Sequence, residues 1–424
     1  MPAVLLGAAP ALASEFKLLV GHGGPVMAAD VSDDGTHALT ASFDNAVGYW
    51  SLTSDEPRWL EGHRAAVKSA IFIDQERAVS GGDDFAITLW SLPDGVELRR
   101  LEGHKGQVAA LAISPDRATL GSASWDGSVG LWSLPEGDLI AMMTGHGGVV
   151  NDIKFSQDGA AVYTASADGT IRVWDVATAT EKRQLVQHGF GVNKLLLGPD
   201  WLAYGAVDGG TRIVDLDTAT VIADLTADRR PILAMAHRPD GQEIAVGDGE
   251  GFVMTVSVDD WAITGDYKAA GKGPVWALAY LGDGESLLGG GIDDAAYIWP
   301  VRNSLEAPIM ATQERGFLKD PSEMSNGERQ YQRKCSICHS LTDDGARRAG
   351  PHLAGLFGRP AGSVAGYRYS DTVATLPFDW NEDTIDQLFD KGPDHFIPGS
   401  KMPMQRITKP EDRADLIAFL KDNT

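Results

Sequence analysis

The sequence predicts an all-β, seven-bladed propeller followed by a small all-α domain. Three observations predict this arrangement. A unit of about forty residues recurs through the first three hundred residues, each unit holds short strand patterns and tight turns, and a Cys-x-x-Cys-His motif stands in a C-terminal segment that ends in a helix pattern. The 424 residues are enough for two domains with separate cores.

The repeat is defined by three kinds of residue. Histidines, mostly in Gly-His pairs, recur at spacings of 41, 41, 42 and 42 residues: His22, His63, His104, His146 and His188. Tryptophans close the first four units: Trp50, Trp90, Trp132 and Trp174. An aspartate stands six residues before each closing position: Asp44, Asp84, Asp126, Asp168, Asp208, Asp248 and Asp293. The aspartates extend the series to seven units, although the later units lose part of the His and Trp pattern.

Each unit alternates short runs of Val, Ile, Ala and Leu with turn clusters such as Ser32-Asp33-Asp34-Gly35. This alternation is typical of short antiparallel strands and not of helices. Four strands in a unit of about forty residues make one propeller blade. A closed ring of such blades leaves no long unpaired sheet edge.

The units resemble WD40 repeats over roughly residues 15–302, and the resemblance implies a WD40-type propeller. In that family the histidine, the turn aspartate, a Ser or Thr and the tryptophan form a hydrogen-bonded cluster inside a blade. His104, Asp126 and Trp132 match this pattern, and buried imidazole and indole groups need such partners. We therefore expect the repeat histidines to be structural. The resemblance also implies that residues 15–20 supply the outer strand of the last blade.

The pattern stops after Trp299, and Pro300, Pro308 and Pro321 mark a linker without periodicity. The motif Cys335-Ser336-Ile337-Cys338-His339 follows. Two thiols at this spacing can form thioethers with haem vinyl groups, and the adjacent imidazole can ligate the iron. A redox Cys-x-x-Cys would belong near a βαβ pattern, which is absent here, and a zinc site would need more ligands. The motif predicts one covalent haem c.

The segment from Gly327 to Lys421 resembles class I, mitochondrial-type cytochrome c. Motifs that carry the resemblance are Gly350-Pro351, Leu356-Phe357-Gly358-Arg359, Pro398-Gly399-Ser400-Lys401-Met402 and the C-terminal run from Arg413 to Leu420. The resemblance implies that the Pro351 carbonyl accepts the His339 N–H. It also implies that Arg359, Tyr369 and Trp380 lie at the haem propionates.

The sixth iron ligand is expected from a loop rich in Pro and Gly. Methionine and histidine are the usual sixth ligands, and Met402, Met404, His352 and His395 are the alternatives in this domain. The resemblance assigns Met402. The domain departs from mitochondrial cytochromes in one respect, because it lacks their many lysines and is close to neutral.

The formal charge of −23 is concentrated in the propeller. Residues 321–424 hold 13 Lys and Arg against 15 Asp and Glu, whereas the rest of the chain holds 23 against 44. Such an acidic surface disfavours nucleic acid; it either is a solvated surface that charge keeps soluble or favours partners with a basic surface. The sequence contains no apolar run approaching the ~20 residues that span a bilayer.

The N-terminus has a short apolar run, and Ala11-Leu12-Ala13 fits a small-x-small cleavage pattern before Ser14. We interpret residues 1–13 as part of a secretory signal, although the basic n-region is missing. Bacterial type-c haem is attached outside the cytoplasmic membrane in the family, so we expect a periplasmic protein. The expected segments are a signal at 1–13, a propeller at 14–302, a linker at 303–322 and the haem domain at 323–424.

A haem with ligands on both faces suits single-electron transfer, because it leaves no open iron site. We therefore expect a cytochrome that carries electrons rather than an enzyme, with the propeller as a docking platform for a redox partner. Two alternatives stay open at this point. One is an oxidoreductase with its substrate site in the propeller and a haem that relays electrons. The other is an interaction protein whose haem senses redox state or a gas.

Overall fold

The computed structural model describes residues 16–54, 56–134, 136–226, 230–302, 309–310 and 320–424. Within these ranges 28 strands form seven four-stranded antiparallel sheets. The innermost strands of successive sheets pack side by side, and the innermost strand of the seventh packs against that of the first. The predicted seven-bladed propeller is confirmed. The expected signal and most of the expected linker lie outside the described residues.

The blades run in chain order, and each begins with its innermost strand. Blades 1 to 3 contain β2 Val26–Val31, β3 His37–Ser42, β4 Ala46–Ser51, β5 Arg58–Glu61, β6 Val67–Phe72, β7 Arg77–Gly82, β8 Ile87–Ser91, β9 Val96–Leu101, β10 Val108–Ile113, β11 Thr119–Ser124, β12 Ser128–Ser133 and β13 Leu139–Thr144. Blades 4 to 6 contain β14 Val150–Phe155, β15 Ala161–Ser166, β16 Thr170–Asp175, β17 Thr180–Gln187, β18 Val192–Leu197, β19 Trp201–Ala206, β20 Thr211–Asp215, β21 Val221–Asp224, β22 Ile232–His237, β23 Glu243–Asp248, β24 Phe252–Ser257 and β25 Ile263–Lys268. Blade 7 contains β26 Val275–Tyr280, β27 Ser286–Gly291, β28 Ala295–Pro300 and β1 Lys17–Val20.

The ring is closed by the first strand of the chain. β1 pairs antiparallel with β28, with Lys17 opposite Ile298 and Val20 opposite Ala295. Leu19 of β1 is buried in the core between blades 7 and 1. The outer strand that the WD40 resemblance implied is therefore present, and it ties the two ends of the propeller together.

In each of the first four blades, the repeat histidine is hydrogen-bonded to other side chains inside the blade. In blade 3 the Trp132 indole donates to Ser122 Oγ at 2.8 Å, and Ser122 Oγ lies 2.7 Å from His104 Nε2. His104 Nδ1 lies 3.1 Å from Asp126, so a continuous chain of hydrogen bonds links these side chains. The corresponding hydroxyl in blades 1, 2 and 4 comes from Thr40, Ser80 and Thr164. These histidines are structural, as predicted.

The later blades keep part of this arrangement. In blade 5, His188 pairs with Asp208 at 3.1 Å. In blade 7 the Trp299 indole donates to the Tyr267 hydroxyl at 2.8 Å, because Gly289 stands at the place of the Ser or Thr and offers no hydroxyl. The aspartate spacing therefore predicted the number of blades, while the partners of the last tryptophan could not be deduced from it.

The C-terminal region is helical. Its elements are a 3₁₀ turn at Pro321–Glu323, α1 Asn326–Lys334, α2 Asp371–Ala374, α3 Glu382–Lys391, α4 Pro393–Phe396 and α5 Pro410–Asn423. Helix α1 packs on α5, where a Cβ on Gly327 would overlap the Asp415 carbonyl and the Tyr331 and Phe419 rings lie 5.6 Å apart. Among the described residues, no helix is both long and apolar enough to cross a membrane.

Candidate functional site

A cavity of about 650 Å³, within the size range of sites for organic cofactors, is lined mainly by the helical region and partly by the propeller. All eight residues predicted from the sequence line this cavity: Cys335, Cys338, His339, Pro351, Arg359, Tyr369, Trp380 and Met402. They come from the end of α1, the loops that follow it, and the loop after α4. The structure thus brings together residues up to 67 positions apart in the sequence.

The two cysteines leave α1 on a tight turn. The backbone N–H groups of Cys338 and His339 both donate to the Cys335 carbonyl, at 2.9 and 2.8 Å, which turns all three side chains toward the cavity. Burial raises the pKa of Cys335 to about 12 and that of Cys338 to about 11. Burial therefore disfavours the thiolate form, which is the reactive form in redox dithiols. In the part of the chain that the structure describes, no group of three or more His, Cys, Asp or Glu could hold a metal ion.

The His339 ring is fixed from two sides. Its Nδ1 donates to the Pro351 carbonyl at 2.6 Å, because a carbonyl oxygen can only accept. Gly350 packs directly on the ring, and a Cβ there would lie 2.6 Å from Nδ1. Burial lowers the pKa of His339, which favours the neutral imidazole. With Nδ1 engaged, Nε2 is the nitrogen that remains for a metal, as in ligating histidines generally.

Of the four alternatives for a sixth ligand, the cavity lining includes Met402 and Met404 and neither histidine. Met402 packs against the buried core of the domain, and its N–H donates to Ser400 Oγ at 3.0 Å. Met404 is 51% exposed. The His395 side chain is 71% exposed beside Asp394, and His352 lies 3.7 Å from Asp343. The geometry favours Met402.

The residues expected at the haem propionates form one polar corner of the cavity. Arg359 donates to the carbonyls of Ala354 and His352 at 2.7 and 3.0 Å, which fixes its guanidinium beside the cavity. Burial lowers the pKa of Arg359, although the group remains a cation at any physiological pH. The Tyr369 hydroxyl accepts the N–H of Val364 at 3.3 Å. Apolar side chains of the helical region line another part of the wall, including Leu353, Leu356, Ile385, Leu388 and Phe389.

Tyr367 also lines the cavity and was not among the predicted residues. Its hydroxyl donates to the Ala349 carbonyl at 2.6 Å, and its ring meets the Tyr369 ring at 4.8 Å. The alternation of Tyr367 and Tyr369 is the sequence signal that could have pointed to it. The propeller contributes residues too, including Phe43, Arg64 and Phe85, and no local pattern indicates them.

The residues present fit a covalent haem. Two thiols, an imidazole with one nitrogen available, a thioether and the Arg359 cation line a cavity whose helical-region wall is largely apolar. This donor set suits a large apolar ring that carries two vinyl groups, a central iron and two carboxylates.

Comparisons with known proteins agree with the fold and with a haem c cofactor. The family model described as "WD domain, G-beta repeat" matches residues 14–51, 95–133 and 137–175. The model described as "Cytochrome c" matches residues 324–424. The chain is 42% identical over 105 residues to cytochrome c of Gossypium barbadense, which is 24% of this chain and 93% of that protein.

Two further relatives show the same coverage pattern. Cytochrome c of Gibberella zeae is 40% identical over 102 residues, 24% of this chain and 95% of that protein. A cytochrome c homolog of Rickettsia bellii is 36% identical over 127 residues, 30% of this chain and 73% of that protein. The chain has a covalently bound haem c as its cofactor and performs haem-based electron transfer. Through its C-terminal residues, which cover 93% of the Gossypium barbadense protein and 95% of the Gibberella zeae protein, the chain belongs to the cytochrome c family.

Proposed function

We propose that this chain is a periplasmic electron carrier with a single haem held by His339 and Met402, and with thioether bonds to Cys335 and Cys338. The bound haem supplies a one-electron ferric–ferrous couple. With both His339 and Met402 as ligands, the iron would have no open position for a substrate. The observation that carries the proposal is the shared cavity in which all eight predicted residues meet.

The protein side chains then have distinct tasks. His339 is oriented by its hydrogen bond to Pro351, which fixes the ring and raises the basicity of the ligating nitrogen. The Met402 loop is braced by Lys401, whose ammonium donates to the Arg368 carbonyl at 2.9 Å. Arg359, Tyr369 and Trp380 would hold the haem carboxylates, with Arg359 supplying the balancing positive charge. The apolar wall excludes water, so little has to reorganise when one electron enters or leaves.

A pair of variants tests the ligation. Ferric protein is expected to show low-spin haem with a methionine charge-transfer band. Met402→Ala should abolish that band, whereas Met404→Ala should retain it because Met404 is exposed. Retention of the band in Met402→Ala, or its loss in Met404→Ala alone, would contradict the assignment of Met402.

We further propose that the propeller docks a redox partner with a basic surface. A WD40 propeller suggests binding of proteins, and the charge of this one is strongly acidic. Cross-linking of the full chain to a partner in a periplasmic extract should give linked peptides from the blades. Links confined to residues 323–424 would contradict a docking role for the propeller.

The periplasmic location is supported by the covalent haem, which bacteria attach outside the cytoplasmic membrane, and by the apolar N-terminal run. Cell fractionation with haem staining tests it. Haem-stained protein should appear in the periplasmic fraction with an N-terminus at or near Ser14. A haem-loaded protein confined to the cytoplasmic fraction would contradict the location.

A further inference from the structure

One arginine of the haem domain makes several contacts with the propeller. Arg347 Nε donates to Asp44 at 3.1 Å, and its Nη1 donates to Glu61. The guanidinium also lies over the Trp59 ring, 4.8 Å from its centroid. Trp59 and Glu61 belong to β5 of blade 1, and Asp44 belongs to the hydrogen-bonded cluster of the same blade. A single cation of the haem domain is therefore held by two carboxylates and an aromatic face.

The Asp44 carboxylate is well suited to this contact. Burial would raise its pKa, but the hydrogen bond and charge of His22, with the charge of Arg347, lower the pKa to about 2. Asp44 is fully buried, whereas the Arg347 side chain is 26% exposed. A charge-assisted contact of this kind is stronger than a surface ion pair, and it still weakens when salt screens its exposed part.

Further contacts flank the arginine. Arg348 lies 3.9 Å from Asp294, near the start of β28 in blade 7, and Arg368 donates to the Glu61 carbonyl at 3.5 Å. Gly23 packs on the backbone of Arg347 and Arg348 so closely that a Cβ would overlap it. The charges are complementary across the contact, since the haem domain offers arginines and the propeller offers carboxylates.

The contact places propeller loops against the haem cavity. Phe43 and Asn45 of blade 1, Arg64 and Phe85 of blade 2, and Gln107 of blade 3 line the same cavity as His339 and Met402. Phe85 is 44% exposed, so it stands at the rim of the cavity rather than inside a blade. The wall of the cofactor site is therefore built from both domains.

We propose that the loops of blades 1 and 2 complete the haem crevice as its outer wall, and that Arg347 is the latch that holds this wall in place. The proposal rests on the haem site proposed above. With the wall in place, the edge of a bound haem on this side of the cavity would be shielded from water and from bulky redox partners. When Arg347 leaves Asp44 and Glu61, the outer wall moves away and this edge becomes exposed. The propeller thus controls which reagents reach the haem of its own chain.

Charge-reversal variants of the full-length holoprotein test this. Arg347→Glu should place a third carboxylate beside Asp44 and Glu61 and separate the domains, and adding Glu61→Arg should restore the pair. Lys409→Glu serves as the control for net charge, because Lys409 is an exposed cation at the start of α5. Gly23→Ala separates the domains by a different route, since it adds bulk without changing charge.

Two readouts are compared for each variant. The first is the rate at which reduced protein passes one electron to cobalt(III) tris(phenanthroline), a bulky oxidant that is reduced to cobalt(II). The second is the maximum dimension from small-angle X-ray scattering. Arg347→Glu should raise the rate by roughly tenfold, a usual size for the coupling between two states, and should enlarge the maximum dimension. The double variant and the Lys409→Glu control should behave like the wild type.

High salt provides an independent check. At ~1 M salt, where the Debye length is about 3 Å, the wild type should approach the rate and dimension of Arg347→Glu. Equal rates and dimensions for the wild type, Arg347→Glu and Gly23→Ala at low salt would overturn the proposal. An error in the proposed haem ligation is distinguishable from an error in this proposal. Wrong ligation would show in the optical spectrum of the wild type, whereas the scattering would still report whether the domains separate.

Discussion

His339 Nδ1 donates a hydrogen bond of 2.6 Å to the carbonyl oxygen of Pro351, twelve residues along the chain. The bond determines which ring nitrogen is free, and Gly350 lets the loop approach the ring face. Ligating histidines commonly have their second nitrogen held in this way. The orientation of the proposed iron ligand is therefore set by the loop that follows the Cys-x-x-Cys-His motif.

Gly350→Ala should disturb this orientation. The added Cβ would lie 2.6 Å from His339 Nδ1, and the ring would have to tilt away from Pro351. We expect the ferric spectrum to shift from low-spin toward mixed or high-spin haem. Gly345→Ala is the control, because nothing lies within 4 Å of a Cβ there and its positive φ costs about 1–2 kcal/mol. An unchanged spectrum in Gly350→Ala would show that the close packing is not needed.

Arg359→Gln should lower the reduction potential. Its cation at the polar corner of the cavity disfavours the extra positive charge of the ferric state, so its removal stabilises that state. The expected fall is tens of millivolts, where about 59 mV corresponds to a tenfold change in a one-electron equilibrium. A redox titration measures it. Arg406→Gln, which removes an exposed arginine bonded to the Asp390 carbonyl, should leave the potential nearly unchanged. Equal shifts in the two variants would argue against a specific role for Arg359.

Ser122→Ala should destabilise the propeller. The serine hydroxyl accepts from the Trp132 indole and lies 2.7 Å from His104 Nε2, so its loss leaves two buried polar groups without this partner. We expect a loss of about 1–3 kcal/mol in the free energy of unfolding, measured by denaturant titration. Ser133→Ala is the control in the same blade, because Ser133 bonds the exposed Glu136. A loss no larger than that of the control would contradict a stabilising role for the cluster.

The same cluster predicts loss of stability in acid. Burial would raise the pKa of Asp126, but hydrogen bonds from Ser128 and the Lys105 N–H, with the charge of His104, lower it from 3.8 to about 2. The ionised form is thus favoured in the fold. Its contribution is fully present above pH 3.8 and is lost as the pH falls toward 2.

Burial also lowers the pKa of His104 below 6.5, so the unfolded chain binds that proton more readily and stability begins to fall below pH 6.5. Denaturant titrations near pH 7, 5 and 3 should show a continuous decrease. In Asp126→Asn the decrease between pH 5 and 3 should be smaller than in the wild type. An equal decrease would show that Asp126 does not contribute to the acid sensitivity.

Much of the propeller could be predicted because the same hydrogen-bonding residues recur at the same spacing in successive blades. The turn aspartate and the tryptophan recur at a fixed spacing, and Ser122 or its equivalent stands ten residues before the tryptophan in the first four blades. Blade 7 departs from this pattern, since Tyr267 replaces the hydroxyl that Gly289 cannot supply. The Tyr267 hydroxyl comes from β25 of the neighbouring blade, so the spacing of the repeat residues does not indicate it.

The interior of the haem site could be predicted for a similar reason. Cys335, Cys338 and His339 are adjacent in sequence, and the loop of Met402 carries a recognisable Pro-Gly pattern. The outer wall could not be predicted. Arg347 donates to Asp44, although the two residues are 303 positions apart in the sequence, and Phe85 of the propeller lines the cavity of the haem domain. Such contacts depend on how two folded surfaces meet, which no local spacing encodes.

A spectroscopic redox titration of the full-length holoprotein, with and without carbon monoxide, tests the central claim most directly. If His339 and Met402 saturate the iron, the haem should titrate reversibly as one electron, and carbon monoxide should leave the reduced spectrum unchanged. A carbon monoxide adduct of the reduced protein, or a potential that shifts when the gas is added, would contradict the account of a closed electron-transferring site.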